Sequence, residues 1–459
     1  MNIQSPSIIS SLSELPDRDV YLTQLLNQCQ GHSIQLIEQE TVAWVQELRD
    51  RAAAIVHLSA LPTTRDEEWR FTDLSSLRQI KFNAVETFHQ SLPDITPLTL
   101  PEAANSRLVF VNGVYAPELS VAQLPEGLVV TNLASLPLAY RSKVQDYLAK
   151  AEGSQEVFTA LNTAGLTDVA VVWVTKNLVV ETPIHLLFIC TAGKTPTISQ
   201  PRTLVVAETG SKVTLIEEYT NRPGAENTEK EGEAVYFTNA VTEIWIAENA
   251  SIAHTRLERE SQAAFHIGKT AITQARDSRY TCNAITLGAK LSRHNLDIYQ
   301  TGEQTETTLN GLTMISDRQV ADTHSAIVLN HPHSTTRQLH KCIAADRAHT
   351  VFNGRVFVAK AAQLTDAGQL NRNLLLSPRA RIDTKPQLEI IADNVKCTHG
   401  ATVSQLEDEA LFYLQSRGIN ALDAQNLLVN AFAAEIINTI PVPSLQKTLL
   451  KAVNRQTSN

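Results

Sequence analysis

The stretch LEIIADNVKCTHGATVSQLEDEALFYLQSRGI, residues 388–419, decides how the chain is read. Gln387, Leu388, Glu389 and Ile390 alternate polar and apolar, the period-2 mark of a pleated strand. If extension continues through Lys396-Cys397-Thr398-His399, a thiol and an imidazole stand two residues apart on one face. Gly400 closes the segment. Ser404 and Glu407 then match an S-x-x-E capping box, which predicts a helix from Gln405. Leu406, Ala410, Tyr413 and Leu414 keep helical spacing, and Gly418 is a natural stop. Two soft donors on a strand, followed at once by a helical tail, is the pattern to explain.

Upstream, short runs rich in Val, Ile, Thr and aromatics recur from about Ser106 to Thr398, among them Val169–Val174, Val213–Ile216, Arg279–Leu287 and Thr350–Val358. No strong amphipathic helix interrupts them between Gly165 and Gln405. The body is therefore expected to be all-β: a barrel, a sandwich or a β-solenoid. Its length favours the solenoid, which grows linearly, although no regular period is visible. Asn310-Gly311 and Asn353-Gly354 each fit a hairpin turn or a corner between stacked strands. Pro223-Gly224 and the acidic run to Glu233 fit an exposed loop.

Both ends read as helical. Asp17–Cys29 and Glu40–Val56 are the N-terminal candidates, the second with Trp44, Val45, Leu48, Ala52, Ile55 and Val56 on one face. Next comes PTTRDEEWRFTDL, residues 62–74, read as a loop whose Trp69 and Phe71 plug onto the next domain. Near the C-terminus Asn420 is positioned to cap Ala421–Thr439, with Leu427, Leu428, Ala431, Phe432 and Ile436 along one face, and a last helix spans Leu445 to about Arg455. These helices are apolar for a tail, so they pack on the body or meet another protein.

Composition narrows the function. A net charge of -9 argues against nucleic acid, because phosphate binding needs a basic face. No run approaches the ~18 apolar residues of a membrane span, and Met1–Tyr21 shows no secretory signal. The five cysteines (29, 190, 282, 342, 397) are odd in number and widely spaced, which fits a reduced, cytoplasmic setting. Gly193-Lys194-Thr195 and Gly268-Lys269-Thr270 end like phosphate-binding loops, but the glycine required five residues earlier is Phe188 or Ala263. Histidines cluster at 324, 331, 333, 340, 349 and 399 without cysteine or carboxylate at zinc-ligand offsets, so structural or solvent roles are expected. Asp317, Asp322, Asp346 and Asp366 allow a polysaccharide-acting β-helix enzyme as a remote alternative.

Five stretches carry a resemblance: residues 62–74, GAKLSRHNLDIYQTGEQTETTLNGL at 288–312, HPHSTTRQLHK at 331–341, residues 351–390, and VKCTHGATVSQLEDEALFYLQSRGI at 395–419. Through them the chain resembles the SufB/SufD family of iron–sulfur cluster assembly scaffolds. SufB-like chains carry C-G-A-x-T-x-P and E-H-E-A segments; this chain has SPRARIDTKPQLEI and KCTHGATVSQLEDEA instead, placing it on the SufD side. The resemblance implies a mainly β fold, a right-handed parallel β-helix core over residues 106–402. N-terminal and C-terminal α-helical domains over 1–105 and 403–459 would flank it. It also implies a non-catalytic subunit pairing with SufB and docking the ATPase SufC from about Gln405. His399 matches the family histidine facing a SufB cysteine, and Cys397 the accompanying cysteine. Neither cofactor nor metal is expected to be bound permanently; an iron–sulfur cluster or iron would sit transiently at the subunit interface, because thiolate is the usual cluster ligand and imidazole a tolerated one. A homodimer carrying metal or iron alone is the other reading.

Overall fold

A computed structural model describes residues 19–30, 39–84, 94–191, 195–221 and 235–458. The expected acidic loop at 223–233 and the Gly193-Lys194 pair lie outside these residues, as does Asp17 at the head of the first helix.

Among the described residues two facing sheets form, and seventeen of their strands make the winding path. In chain order they are β1 (Ser106–Val111), β2 (Ala170–Val174), β3 (Ile184–Cys190), β4 (Arg202–Ala207), β5 (Lys212–Asn221), β6 (Tyr236–Ile246), β7 (Ser251–Arg259), β8 (Phe265–Gln274) and β9 (Arg279–Thr286). Then follow β10 (Leu291–Gln300), β11 (Glu306–Ile315), β12 (Val320–Leu329), β13 (Thr335–Ala344), β14 (His349–Val358), β15 (Asp366–Leu375), β16 (Arg381–Ile390) and β17 (Lys396–Ser404). Odd strands build one sheet and even strands the other, and each pairs in parallel with the strand two places on. Alternate use of two parallel sheets is a β-helix, of about seven turns.

The missing sequence period has a simple cause. Successive odd strands begin at Ser251, Arg279, Glu306, Thr335, Asp366 and Lys396, so each turn takes a slightly different number of residues. The extra residues are absorbed at the corners. Asn249, Asp277, Gln304, His333 and Leu364 occupy one corner with positive φ, and Ala289, Asp317 and Asp346 the opposite one.

Both Asn-Gly pairs lie inside strands rather than at turns. Asn310-Gly311 is in the middle of β11 and Asn353-Gly354 in the middle of β14. Their glycines answer a packing demand from the neighbouring turn. A Cβ on Gly311 would lie 2.0 Å from Nδ1 of His340, and one on Gly354 2.1 Å from Nε2 of Gln369.

The N-terminal helices α1 (Val20–Gln30) and α2 (Gln39–His57) appear close to their expected bounds. Two further helices, α3 (Leu138–Val144) and α4 (Val157–Ala164), precede the regular turns. Phe158 and Leu161 of α4 pack with Leu22, Leu25, Trp69 and Phe82 onto Phe237, Phe265 and Leu291 of the even sheet. Trp69 thus plugs the N-terminal region onto the body, tilted against Phe158 at 5.5 Å between ring centroids.

At the other end β17 runs on to Ser404, so the helix does not begin at Gln405. Ser404 is still in register with Leu374, and its hydroxyl donates to the carbonyl of Asn373 at 3.3 Å, which removes it as a cap. The helix α5 (Asp408–Ser416) begins after extended Glu407. Asn420 does cap α6 (Ala421–Ile437), its side chain accepting from the Asp423 amide, and α7 (Pro443–Ser458) follows. The inward face of α6 is Ala424, Val429, Ala433, Ile436 and Ile437, which leaves Leu427 49% exposed. That shift from the expected stripe follows from what lies beneath: Leu257, Ile285, Leu312 and Ile343 on the outer face of the odd sheet. Lys341 continues the Leu257–Ile285–Leu312 ladder, and its ammonium donates to the carbonyl of Phe432 at 2.8 Å while pairing with Glu435. Among the described residues no helix is long and apolar enough to cross a membrane.

Candidate functional site

The candidate site is the open end of the β-helix. Cys397 and His399 both lie on β17, which among the described residues pairs only with β15, while β16 ends the other sheet. Cys397 stands in register above Ala367, and below it run Thr336, Thr307, Tyr280, Ile252 and Val213. All six lower members are buried, so this column points into the lumen. His399 caps the next inward column, over Gln369, Gln338, Leu309, Cys282, His254 and Leu215, again all buried. Strand alternation therefore places thiol and imidazole on one lumen-side face. No turn follows to cover them. Cys397 is half-buried against the core and His399 is exposed.

Cys397 is the least buried of the five free cysteines; the others are fully enclosed. Burial pushes the thiols of Cys29, Cys190 and Cys342 up to about 12. Partial burial also raises Cys397, eased by a backbone hydrogen bond at Ala367. It is a thiol at neutral pH that becomes a better ligand once a cation lies beside it. Among the described residues no three His, Cys, Asp or Glu side chains converge as metal ligands. The end of the β-helix thus offers two donors of a set that needs about four.

The remaining clustered histidines are held elsewhere. His340 is buried and stacked on Phe352 at 4.8 Å, with its imidazole accepting or donating at Thr313. His349 meets Asp383 at 2.7 Å, and His333 forms a corner. His324 lies between Asp322 at 3.0 Å and Glu68 at 3.1 Å. Arg293 donates to Asp322 at 2.6 Å and to the Glu68 carbonyl at 2.7 Å, and lies over the Trp69 ring at 3.9 Å. The 62–74 segment is therefore bolted across β10 and β12 by ions as well as by its aromatic. Of the acidic residues considered for sugar chemistry, Asp322 is spent on this bolt and Asp366 pairs with Arg337.

A second polar group was invisible in the sequence. His254 meets Glu217 at 3.3 Å and His266 meets Glu260 at 2.6 Å inside the lumen, while His185 meets Glu218 at 3.2 Å, buried on the outer face of the odd sheet. Arg256 donates to Nε2 of His266; burial and that guanidinium hold the imidazole down at about 3. His185–Glu218 and His254–Glu217 each join neighbouring turns, so no short spacing announces them, whereas His266 and Glu260 meet across one corner, six residues apart.

The comparisons bear on this geometry. A family description for the SUF system FeS cluster assembly SufBD core domain matches residues 188–432, and one for the SufBD protein N-terminal region matches residues 22–186. The chain belongs to the SufBD family. An iron–sulfur cluster assembly SufBD family protein of Synechocystis sp. is 49% identical over 89% of this chain and 90% of its own length. Iron–sulfur cluster assembly protein SufD of Escherichia coli is 33% identical over 87% and 90%, and a chloroplastic protein of Arabidopsis thaliana, ABCI7, is 35% identical over 86% and 83%. The SufBD core match runs through β17, with Cys397 and His399, and ends inside α6. The SufD resemblance read from the sequence agrees with these relatives.

Proposed function

We propose that this chain is a non-catalytic scaffold subunit of the SUF assembly machinery, pairing end to end with a SufB-type subunit and docking the SufC ATPase through its C-terminal helices. The observation that carries the reading is the last turn: two strands with free edges, and an exposed imidazole and a half-buried thiol on one face. Free edges invite strand addition, and an incomplete donor set invites a partner that completes it. The nascent cluster or its iron is cargo, held between subunits and passed on. Nucleotide-driven closure of SufC would pull on the helical tails and rearrange the seam, a two-state interface of a familiar kind. Five free cysteines suit a reducing compartment such as the cytoplasm.

The test is co-expression with SufB and SufC partners, comparing wild type with His399→Ala. The complex should assemble in both, and cluster maturation should fall only in the variant. Normal maturation in His399→Ala removes that residue from the mechanism. The same free edges also permit a homodimer; purification without SufB, with mass and bound iron measured, separates the two.

A further inference from the structure

One corner of the β-helix repeats a cation. Lys290 follows Ala289, Arg318 follows Asp317 and Arg347 follows Asp346, each behind a left-handed residue with φ between 50° and 60°. Arg379 comes from the next turn, behind Pro378. Equivalent corner positions stack at the strand spacing of about 4.8 Å. The four side chains wall a cleft of about 650 Å³, within the range of small-molecule sites.

Among the described residues none of the four has an acidic partner within 4.0 Å; Lys290 lies over the Phe265 ring. The two acids in the wall are already engaged. Asp346 accepts from the Asp317 amide at 3.2 Å, and Asp317 accepts from the Gln262 side chain at 3.3 Å. Four cations against two acids make a local excess of positive charge in a chain of net charge -9. Stacked like charges repel, and an anion seated among them relieves that cost.

We propose that this corner cleft binds a small anion of the diphosphate class. Arginine forks match phosphoryl oxygens two at a time. One phosphoryl group meets one or two turns of the ladder, whereas a diphosphate reaches successive turns. The cleft has no helix N-terminus and no glycine-rich cradle, so it binds the anion without the apparatus to cleave it. The site lies on a corner, apart from the Cys397–His399 end, and does not depend on the scaffold assignment.

Calorimetric titration of the full chain at constant ionic strength tests this, with inorganic pyrophosphate, ADP, orthophosphate and sulfate as probes. Pyrophosphate and ADP should bind at one site at least ~10-fold tighter than sulfate, the value of about one charge-assisted contact. ADP binding tighter than pyrophosphate would assign a nucleotide, and equal affinity a free diphosphate; both sustain the proposal. Arg318→Gln with Arg347→Gln should weaken pyrophosphate by at least ~10-fold with an unchanged melting temperature, since both side chains are exposed. Arg279→Gln, an exposed arginine paired with Glu306, should leave it unaltered. Sulfate binding as tightly as pyrophosphate, or full affinity in the double variant, overturns the site.

Discussion

Gln369 and His399 are register partners on adjacent turns of the odd sheet, one buried and the other exposed. Nothing in their immediate sequence distinguishes them; both face the lumen. What differs is that His399 stands on the last turn. On the proposed reading, the chemistry offered to a partner is the lumen itself, cut open at its end.

Thiol labelling checks this directly. Native protein treated with iodoacetamide should take up one equivalent, at Cys397, and Cys397→Ser should take up none. Labelling should accelerate as pH rises beyond the ordinary thiol range, because burial raises the Cys397 pKa. Rapid modification of Cys282 in folded protein would contradict the closed lumen.

The bolt on the 62–74 segment predicts acid sensitivity. Burial alone would raise Asp322, but Arg293 and His324 outweigh it and hold the carboxyl at about 2. A depressed carboxyl contributes stability above its unfolded pKa of about 3.9, and the contribution is lost as pH falls from there through about 2. Asp322→Ala should remove it at all pH values and cost about 3–5 kcal/mol, since Arg293 is left buried and unpaired. Hydrogen exchange at residues 67–73, followed from pH 4 downward, reads the release.

Glycine 311 should not tolerate a methyl group. In Gly311→Ala the new Cβ meets a His340 ring already stacked on Phe352 and unable to withdraw. A loss of about 1–3 kcal/mol is expected from overpacking, measured by denaturant unfolding. Gly368→Ala meets its nearest neighbour at an ordinary 3.5 Å and should be nearly neutral.

Lys341 fastens the tail. Its side chain is 3% exposed and reaches the Phe432 carbonyl and Glu435. Lys341→Ala should leave Glu435 without its nearest cation and loosen α6 and α7. Proteolysis near Gly418 should quicken while the β-helix resists.

The outer side of the C-terminal helices α5 and α6 tests the docking proposal. Phe412 and Leu422 are 72% and 52% exposed. Phe412→Ser with Leu422→Ser should leave the melting temperature within ~2 °C, as surface changes do. Co-purification of SufC should be lost, and its retention would exclude this face.

The sequence by itself determined the strand under Cys397 and His399, the Asn420 cap, the plugging role of Trp69 and, through long matching stretches, the family. Each depends on local alternation, a local hydrogen bond or contiguous residues. Only the tertiary structure decided that Asn310-Gly311 is mid-strand, that Ser404 extends β17 and that α6 turns Leu427 outward. It also decided the buried His–Glu pairs and the corner cleft. Register partners lie one turn away, 27 to 31 residues along the chain, and such a parallel neighbour imposes register and contact that no short window of sequence contains.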